Sequence, residues 1–220
     1  MDGTRVLLES FARLAPRELL PVIVPLAQLG SYDELLPDVR KQVPADGAFF
    51  LLGESFSGPL ALRLASEYSD RVSGLILCNT FVTPPRSPTL RLLPWSLITA
   101  LPLPRWFIRR FLVGRSAPSS IVSAVQAAVA MTPSPVLAAR MRAIFSLSAI
   151  ALLRSTTVPI LTLHGTEDRL VPPSVAEMIR SNAPHASRAE IRAPHLLLQT
   201  APEEAWEAIR QFVRRVKSEG

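Results

Sequence analysis

The chain has 220 residues, 48% of them hydrophobic, which is enough for one substantial core and too apolar for a disordered protein. A single cysteine, Cys78, excludes an internal disulfide, and three histidines without ligand spacing offer little for a metal site, so we expect no metal and no cofactor. The net charge is +6. An acid at Asp2 argues against a secretory leader, so we expect a cytoplasmic protein. The uncharged stretch 92–104 is too short to span a bilayer, so we expect no integral membrane segment.

Hydrophobic periodicity predicts strands and helices in alternation along most of the chain. In chain order we predict a helix over 4–15, a strand over 21–26, a helix over 32–43, a strand over 48–52, a helix over 58–68, a strand over 73–79, a strand over 158–163, a helix over 174–181, a strand over 189–192 and a helix over 201–217. Ser31 and Glu34 form a predicted capping box for the second helix. Strands that are apolar almost throughout indicate a buried parallel sheet, so we predict an α/β fold with a mainly parallel sheet of about five strands.

Strand signals disappear over residues 84–153, where helical stretches are broken by prolines. From Arg71 to Thr166 the sequence has no Asp or Glu but ten arginines, which alternate with leucines and aromatic residues. This mixture differs from the dense polar stripe of a nucleic-acid site, so we expect no nucleic-acid partner and predict an apolar, cationic cover over a pocket. We therefore divide the chain into a core, residues 1–83 and 154–220, and a helical cap, residues 84–153, inserted before the penultimate strand.

The segment from Gly53 to Gly58, Gly-Glu-Ser-Phe-Ser-Gly, lies between a predicted strand and a predicted helix. Small residues two positions before and after Ser55 let the strand and helix approach closely while the serine is held at the apex of the turn. Ser57 replaces the usual second glycine and is small enough to keep this turn. The first N–H groups of the helix would face an oxyanion formed on a substrate of Ser55. The alternative is a polar turn without chemistry.

Two further motifs follow Ser55 in the chain: His-Gly-Thr-Glu-Asp over 164–168, and Ala-Pro-His over 193–195. The order Ser, Asp, His resembles the α/β-hydrolase superfamily, and in particular its small bacterial, serine esterase-like members with a helical cap between sheet strands six and seven. The resemblance covers nearly the whole chain. It implies Ser55 as nucleophile, Asp168 as orienting acid and His195 as general base, each at the carboxyl end of a predicted strand.

Other polar residues near these motifs have plainer interpretations. Glu167 could replace Asp168 as the acid, but the spacing from His164 favours Asp168. Some relatives take the acid from the end of strand six, where this chain has the uncharged Asn79. We expect His164 to satisfy hydrogen bonds at a strand end and His185 to be an exposed loop residue.

The first three of the family's eight strands have no counterpart in this sequence. Because the third strand normally lies between the fourth and the fifth, its loss leaves unpaired backbone groups that cost about 1–3 kcal/mol each when buried. The strand over 21–26 could close directly against the next, the N-terminal segment could fill the gap, or a second protomer could pair with the open edge; we expect direct closure with some homo-oligomerisation. For the oxyanion hole the resemblance implies the N–H of Phe56 and, in the shortened N-terminal loop, the backbone of Met1 or Asp2.

These features favour a serine hydrolase that cleaves small-molecule carboxylic esters through an acyl-enzyme on Ser55. The small cap favours short to medium acyl chains, with Trp95, Trp106 and Phe107 as candidate substrate-binding residues. Thioester hydrolysis and acyl transfer would use the same three catalytic side chains. The alternatives from other classes are a non-catalytic hydrolase remnant that acts as a binding or scaffold protein, and a peripheral membrane protein with a cationic cap.

Overall fold

The computed structural model describes residues 3–85 and 88–219. Its sheet consists of strands β1 (Phe49–Glu54), β2 (Val72–Cys78), β3 (Ile160–Gly165) and β4 (Ser187–Ile191). All four are parallel and lie side by side in chain order. Each connection must therefore return across the sheet, and the carboxyl ends of the strands meet at one edge. The predicted α/β class and parallel sheet are confirmed.

The connections between strands are helical. The helices are α1 (Val6–Arg13), α2 (Tyr32–Arg40), α3 (Gly58–Glu67), α4 (Trp95–Ile98), α5 (Arg105–Phe107), α6 (Ser119–Ala130), α7 (Ser134–Phe145), α8 (Ile150–Ser155), α9 (Pro173–Asn182), α10 (Leu197–Thr200) and α11 (Pro202–Glu219). Short 3₁₀ turns cover Ser55–Ser57 and Pro88–Leu92, and a π-helical turn covers Ile108–Leu112. We call residues 88–155, between β2 and β3, the helical insertion. It precedes the penultimate strand, as the sequence predicts, whereas its role as a cap stays a prediction.

Helices cover both faces of the sheet because β2 is apolar on both sides. Leu75 and Leu77 contribute to a core shared with α3 and α9, whereas Ile76 and Cys78 contribute to a second core shared with α1, α10 and α11. Successive side chains of a strand point to opposite faces, so each core receives every second residue. The continuous apolar run over residues 75–78 of β2 is the pattern typical of a strand covered on both faces.

Local contacts fix the two N-terminal helices. In α1, Phe11 stacks on Trp206 of α11 with ring centroids 4.4 Å apart, and Trp206 Nε1 donates to Phe11 O at 2.8 Å. At the start of α2 the predicted capping box is confirmed, since Ser31 Oγ accepts from Glu34 N at 3.1 Å while the Glu34 carboxylate accepts from Ser31 N at 2.9 Å. The reciprocal bonds satisfy backbone donors that have no partner within the helix.

The predicted strand over 21–26 is wrong. The segment is irregular, and within the described residues β1 pairs only with β2. Pro21 and Pro25 lack the N–H groups that a ladder needs, so the segment meets the sheet through side chains, with Val24 packed in the same cluster as Leu51. The direct closure expected from the sequence therefore does not form. Homo-oligomerisation at this edge stays a prediction.

The helical insertion contains an apolar cluster of its own, formed by Ile108, Val113, Ala117, Val122 and Val125. Leu7 of α1 and Leu196 of the core pack against this cluster, so the insertion is joined to the rest of the fold by apolar contact. In the described parts of the chain no single helix is long and apolar enough to cross a membrane, although the bent pair of α6 and α7 would meet that length and composition together.

Gly58→Ala should destabilise the protein because the added Cβ would overlap the buried side chain of Thr80. Overpacking of this kind costs about 1–3 kcal/mol in the free energy of unfolding, which denaturant titration measures. The control is a double-mutant cycle with Thr80→Ala, in which Gly58→Ala should cost less because two of the three obstructing atoms, Oγ1 and Cγ2, are gone and only Cβ remains. Additive losses in the double variant would contradict the steric explanation.

Candidate active site

Ser55 lies at the carboxyl end of β1, where the chain turns into α3. Its φ is 53°, in the left-handed region that residues other than glycine rarely adopt. The turn is tight, because a Cβ on Gly53 would lie 2.7 Å from Gly58 Cα. From the segment that follows the neighbouring strand β2, Thr80 Oγ1 donates to Ser55 O at 2.5 Å. Close packing on one side and a hydrogen bond on the other thus hold the serine in a strained conformation.

Ser55, His195 and Asp168 form a continuous chain of hydrogen bonds. Ser55 Oγ lies 2.8 Å from His195 Nε2, and His195 Nδ1 lies 2.8 Å from Asp168 Oδ2. The carboxylate accepts the Nδ1 proton, which leaves the lone pair of Nε2 to accept the hydroxyl proton of Ser55. The arrangement fits a Ser-His-Asp triad, in which the imidazole can remove the serine proton.

The backbone of its own loop holds Asp168 in place. Asp168 Oδ1 accepts from Leu170 N at 2.7 Å and from Val171 N at 3.0 Å, and the side chain has no exposed surface. Because Oδ1 is occupied by these backbone donors, Oδ2 is the oxygen that remains for His195. The carboxylate can therefore fix the orientation of the imidazole without moving itself.

The residues that compete with the triad lie elsewhere. Glu167 pairs with Arg192 at 2.9 Å on the surface, away from the hydrogen-bonded chain. His185 is exposed, as the sequence predicts. His164 is buried, and among the described residues its Nε2 has no hydrogen-bond partner, so the hydrogen bonding expected of this side chain at the strand end is not made by Nε2. Burial lowers the pKa of His164, which favours the neutral imidazole.

The first oxyanion donor expected from the sequence, the N–H of Phe56, belongs to a residue that is fixed by its ring. The ring is fully buried and stacks on Tyr32, with centroids 4.7 Å apart, and the Arg140 guanidinium lies 5.7 Å from the ring centroid. The other two expected donors, Met1 and Asp2, lie outside the described residues. The position of Phe56 in the turn keeps it as the candidate donor.

Arg140 is a fully buried arginine that the sequence indicated only as part of the cationic cover. It extends from α7 of the helical insertion, and its guanidinium donates to Leu29 O at 3.0 Å and to Ala27 O at 2.7 Å. It also lies beside Gly3, where an added Cβ would be 2.9 Å from Arg140 Nη1. One side chain thus links the insertion to the N-terminal segment next to Phe56. A charge within a largely apolar helix was the available sequence signal, although α7 also carries the exposed Arg142.

The three aromatic residues predicted to bind substrate belong to two separate clusters. Trp95 stacks on Phe145 of α7 and its Nε1 donates to Leu90 O at 3.0 Å. Trp106 and Phe107 pack edge to face at the start of the π-helical turn, and Trp106 is 66% exposed. Their part in substrate binding stays a prediction.

Glu54, immediately before the serine, has an inward-facing carboxylate for which the sequence alone predicted no role. It accepts from Leu198 N at 3.2 Å and from Gln199 Nε2 at 2.9 Å. Both donors follow His195 in the chain, so this bond joins the serine turn to the histidine loop. Burial raises the pKa of Glu54, and the hydrogen bonds from Gln199 and Leu198 oppose that rise. A carboxylate inside a tight apolar turn was the signal in the sequence.

No three His, Cys, Asp or Glu side chains are grouped as metal ligands in residues 3–85 and 88–219. At the strand ends, Ser55, Asp168 and His195 are instead engaged with one another, and Asn79 is engaged with the backbone. The arrangement can move a proton from a hydroxyl to an imidazole, which is the requirement for activating a serine nucleophile.

Comparison with known proteins agrees with this arrangement. The sequence model of the family described as serine aminopeptidase, S33, matches residues 30–197, more than half of the chain. The chain therefore belongs to this family of α/β-hydrolases. No curated protein matches the sequence.

Several solved structures share the fold. A thermophilic esterase from Thermogutta terrifontis is 23% identical and has a TM-score of 0.78 over 96% of this chain and 86% of its own. A structure described for carboxylesterases of Nitrososphaera gargenis is 13% identical, with a TM-score of 0.77 over 100% of this chain and 89% of its own. An enol-lactonase from Burkholderia xenovorans is 16% identical, with a TM-score of 0.70 over 86% of this chain and 79% of its own. At these identities the likeness establishes a common fold.

Glu54→Gln should make stability less dependent on pH. Because burial raises the folded-state pKa of Glu54, its contribution to stability is fully present below the ordinary glutamate pKa of 4.5 and is lost as the pH rises through the folded-state value. The amide keeps an acceptor for Leu198 N and can donate to Gln199 Oε1, which is buried and has no partner within the described part of the chain. Thermal unfolding followed by circular dichroism from about pH 5 to about pH 8 should show the melting temperature of the variant gaining on that of the wild type.

The matched control for this measurement is Glu204→Gln, at an exposed carboxylate in α11. Its melting temperature should follow the wild type at every pH, because a solvated carboxylate suffers little desolvation. A difference between Glu54→Gln and wild type that stays constant with pH would contradict the burial argument.

Proposed function

We propose that this protein is a serine hydrolase of carboxylic esters with short to medium acyl chains, acting through an acyl-enzyme on Ser55. The observation that carries the proposal is the unbroken contact chain from Ser55 Oγ to His195 Nε2 and from His195 Nδ1 to Asp168 Oδ2, with 2.8 Å at each step. Both distances lie within the reach required for proton transfer.

Acylation begins when His195 takes the hydroxyl proton of Ser55 as Oγ attacks the ester carbonyl carbon. The carbonyl oxygen of the tetrahedral intermediate carries the negative charge and accepts a hydrogen bond from Phe56 N–H. His195 then gives its proton to the leaving alcohol, and the C–O bond to that alcohol breaks. A water molecule activated by His195 hydrolyses the acyl-enzyme and restores Ser55.

Asp168 acts on this cycle through the imidazole. Its Oδ2 keeps the proton of His195 on Nδ1 and stabilises the imidazolium that forms during each proton transfer. A fixed carboxylate is suited to this task because it does not have to reorganise as the charge appears. The two backbone donors to Oδ1 supply that rigidity.

Ester cleavage is favoured over the peptide cleavage suggested by the family's description. An aminopeptidase needs an acidic group to bind the charged amino terminus of its substrate. From Arg71 to Thr166, which includes the helical insertion, the sequence has no Asp or Glu. Glu54 is already engaged by Leu198 and Gln199. The ester-directed descriptions of the similar structures point the same way.

The helical insertion is proposed as the cap that limits the acyl chain. It is short, and its aromatic side chains, among them Trp95 and Phe107, supply apolar surface. On this basis turnover should be highest with acetyl to octanoyl esters and low with palmitoyl esters.

Ser55→Ala should abolish hydrolysis of p-nitrophenyl butyrate, because alanine leaves His195 without a hydroxyl to deprotonate. We expect kcat to fall by at least about 10³-fold, as for other serine triads. Ser181→Ala, at an exposed helical serine of α9, is the control and should keep wild-type turnover. Leucine p-nitroanilide tests the peptidase alternative and should be cleaved far more slowly than the ester. Equal rates for wild type and Ser55→Ala would remove Ser55 from the mechanism.

Asp168→Asn should lower kcat for the same ester by about 10³–10⁴-fold, because an amide no longer fixes the productive tautomer of His195. The neighbouring carboxylate provides a matched control, since Glu167→Gln breaks only a surface ion pair with Arg192 and should leave kcat within about twofold. A large loss in Glu167→Gln with an active Asp168→Asn would show that Glu167 is the acid instead.

A further inference from the structure

Asn79 sits at the carboxyl end of β2 with its side-chain amide in the middle of the site. Nδ2 donates to His195 O at 2.8 Å and to Pro194 O at 3.1 Å, while Oδ1 accepts from Gly165 N at 2.8 Å. The residue is 2% exposed. Its donors and its acceptor are thus all engaged by backbone groups away from water.

The backbone groups that Asn79 binds belong to the two loops that carry the acid and the base. Gly165 ends β3 and opens the turn to Asp168, whose N–H donates back to Gly165 O at 3.0 Å. The carbonyl of His195 belongs to the base itself. One amide therefore sets the distance between the loop of Asp168 and the loop of His195, and hence the alignment of carboxylate and imidazole.

The local backbone shows how closely this region is packed. Asn79 has a φ of 39°, a left-handed conformation that asparagine tolerates better than most residues. A Cβ on Gly165 would lie 2.5 Å from Ala193 O and 3.0 Å from Asn79 Nδ2, so only glycine leaves room for the two loops and the amide together. The next residue, Thr80, binds Ser55 O. All three loops of the site are therefore anchored on the end of β2.

We propose that Asn79 is a positioning residue that holds His195 in line with Asp168 and Ser55. It acts through the backbone of His195 and touches no reacting atom. The position needs an amide because the same side chain must accept from Gly165 N and donate to two carbonyls, which a carboxylate cannot do. The proposal rests on the proposed triad chemistry and adds to it the group that fixes the geometry.

The test uses Asn79→Asp, which keeps the shape and replaces the donor. As a carboxylate, Asp at this position would place an oxygen against two carbonyl oxygens and push the His195 loop away; protonated, it can donate to His195 O again. Burial and the facing carbonyls raise the pKa of such a carboxyl, while Asp168 and Glu54 are the nearby acids and His164 and His195 the nearby bases. The ratio of variant to wild-type activity should therefore rise as the pH falls.

The measurement is the rate of Ser55 labelling by a fluorophosphonate, together with turnover of p-nitrophenyl butyrate, from about pH 9 to about pH 6. In labelling, the Oγ–P bond forms, the P–F bond breaks, fluoride leaves, and the hydroxyl proton passes to His195. At about pH 9 we expect both the labelling rate and the turnover of Asn79→Asp to be lower than those of the wild type by at least about tenfold, with unchanged KM. At about pH 6 the ratio of variant to wild-type rate should be severalfold higher than at about pH 9. A merely structural residue would change stability without giving this recovery.

Asn182→Ala is the matched control, because it removes another asparagine with both sides bonded, at the end of α9, and should label at the wild-type rate. If Asn79→Asp does not fold, Asn79→Ser, whose hydroxyl can serve one carbonyl, should fold and show reduced labelling with unchanged KM. If either folded variant reacted at the wild-type rate, the positioning role of Asn79 would be overturned, whereas the proposed function of Ser55 would stand. A wild-type protein that is not labelled at Ser55 would overturn the proposed function and, with it, the role of Asn79.

Discussion

A hydrogen atom is the largest group that fits on the Cα of Gly58, and this limit sets the position of the serine turn. Because Gly58 has no side chain, α3 starts in contact with Thr80 and close to Gly53 on the sheet. The chain between them must then turn within a few residues, which forces Ser55 to a φ of 53°, and in this turn its hydroxyl lies beside the imidazole of His195. The apolar packing of Phe56 on the other side of the turn opposes relaxation of this strain.

Beyond the last hydrogen bonds between strands, side chains form hydrogen bonds with the backbone of the loops. Buried N–H and C=O groups in the loops need partners, and the strands can no longer supply them. Asp168 serves the N–H groups of Leu170 and Val171, and Glu54 serves that of Leu198. Asn79 does the same between two loops. The polar residues of the site thus continue the hydrogen bonding of the sheet through side chains, which is why the loops can be both irregular and well defined.

The sequence was sufficient to predict the fold class because β2 and β3 are largely apolar, and such runs between helices are typical of strands covered on both faces. The capping box of α2 was equally local. The segment 21–26 could not be judged this way, because a strand exists only with a ladder partner, and Pro21 and Pro25 remove the donors needed for one. Ser55, Asp168 and His195 were visible as motifs in a familiar order. Arg140 and Asn79 were not, since their importance comes from which distant backbone carbonyls they meet.

The helical insertion is attached on both sides of the serine turn through contacts with backbone. On one side, Leu196 N donates to Leu112 O at 2.8 Å, directly after His195, at the end of the π-helical turn. On the other, Arg140 holds the carbonyls of Ala27 and Leu29 and lies over the ring of Phe56. If the insertion moved as one body, it would break the hydrogen bond next to His195 or separate the Arg140 guanidinium from its carbonyl acceptors. Separating Arg140 is costly because its charge would lose its partners away from water. The position of the insertion and the geometry of Ser55, His195 and Asp168 are therefore coupled through two direct contacts as well as through apolar packing. One contact joins Leu112 to the residue after His195, and the other joins Arg140 to Phe56, the residue after Ser55.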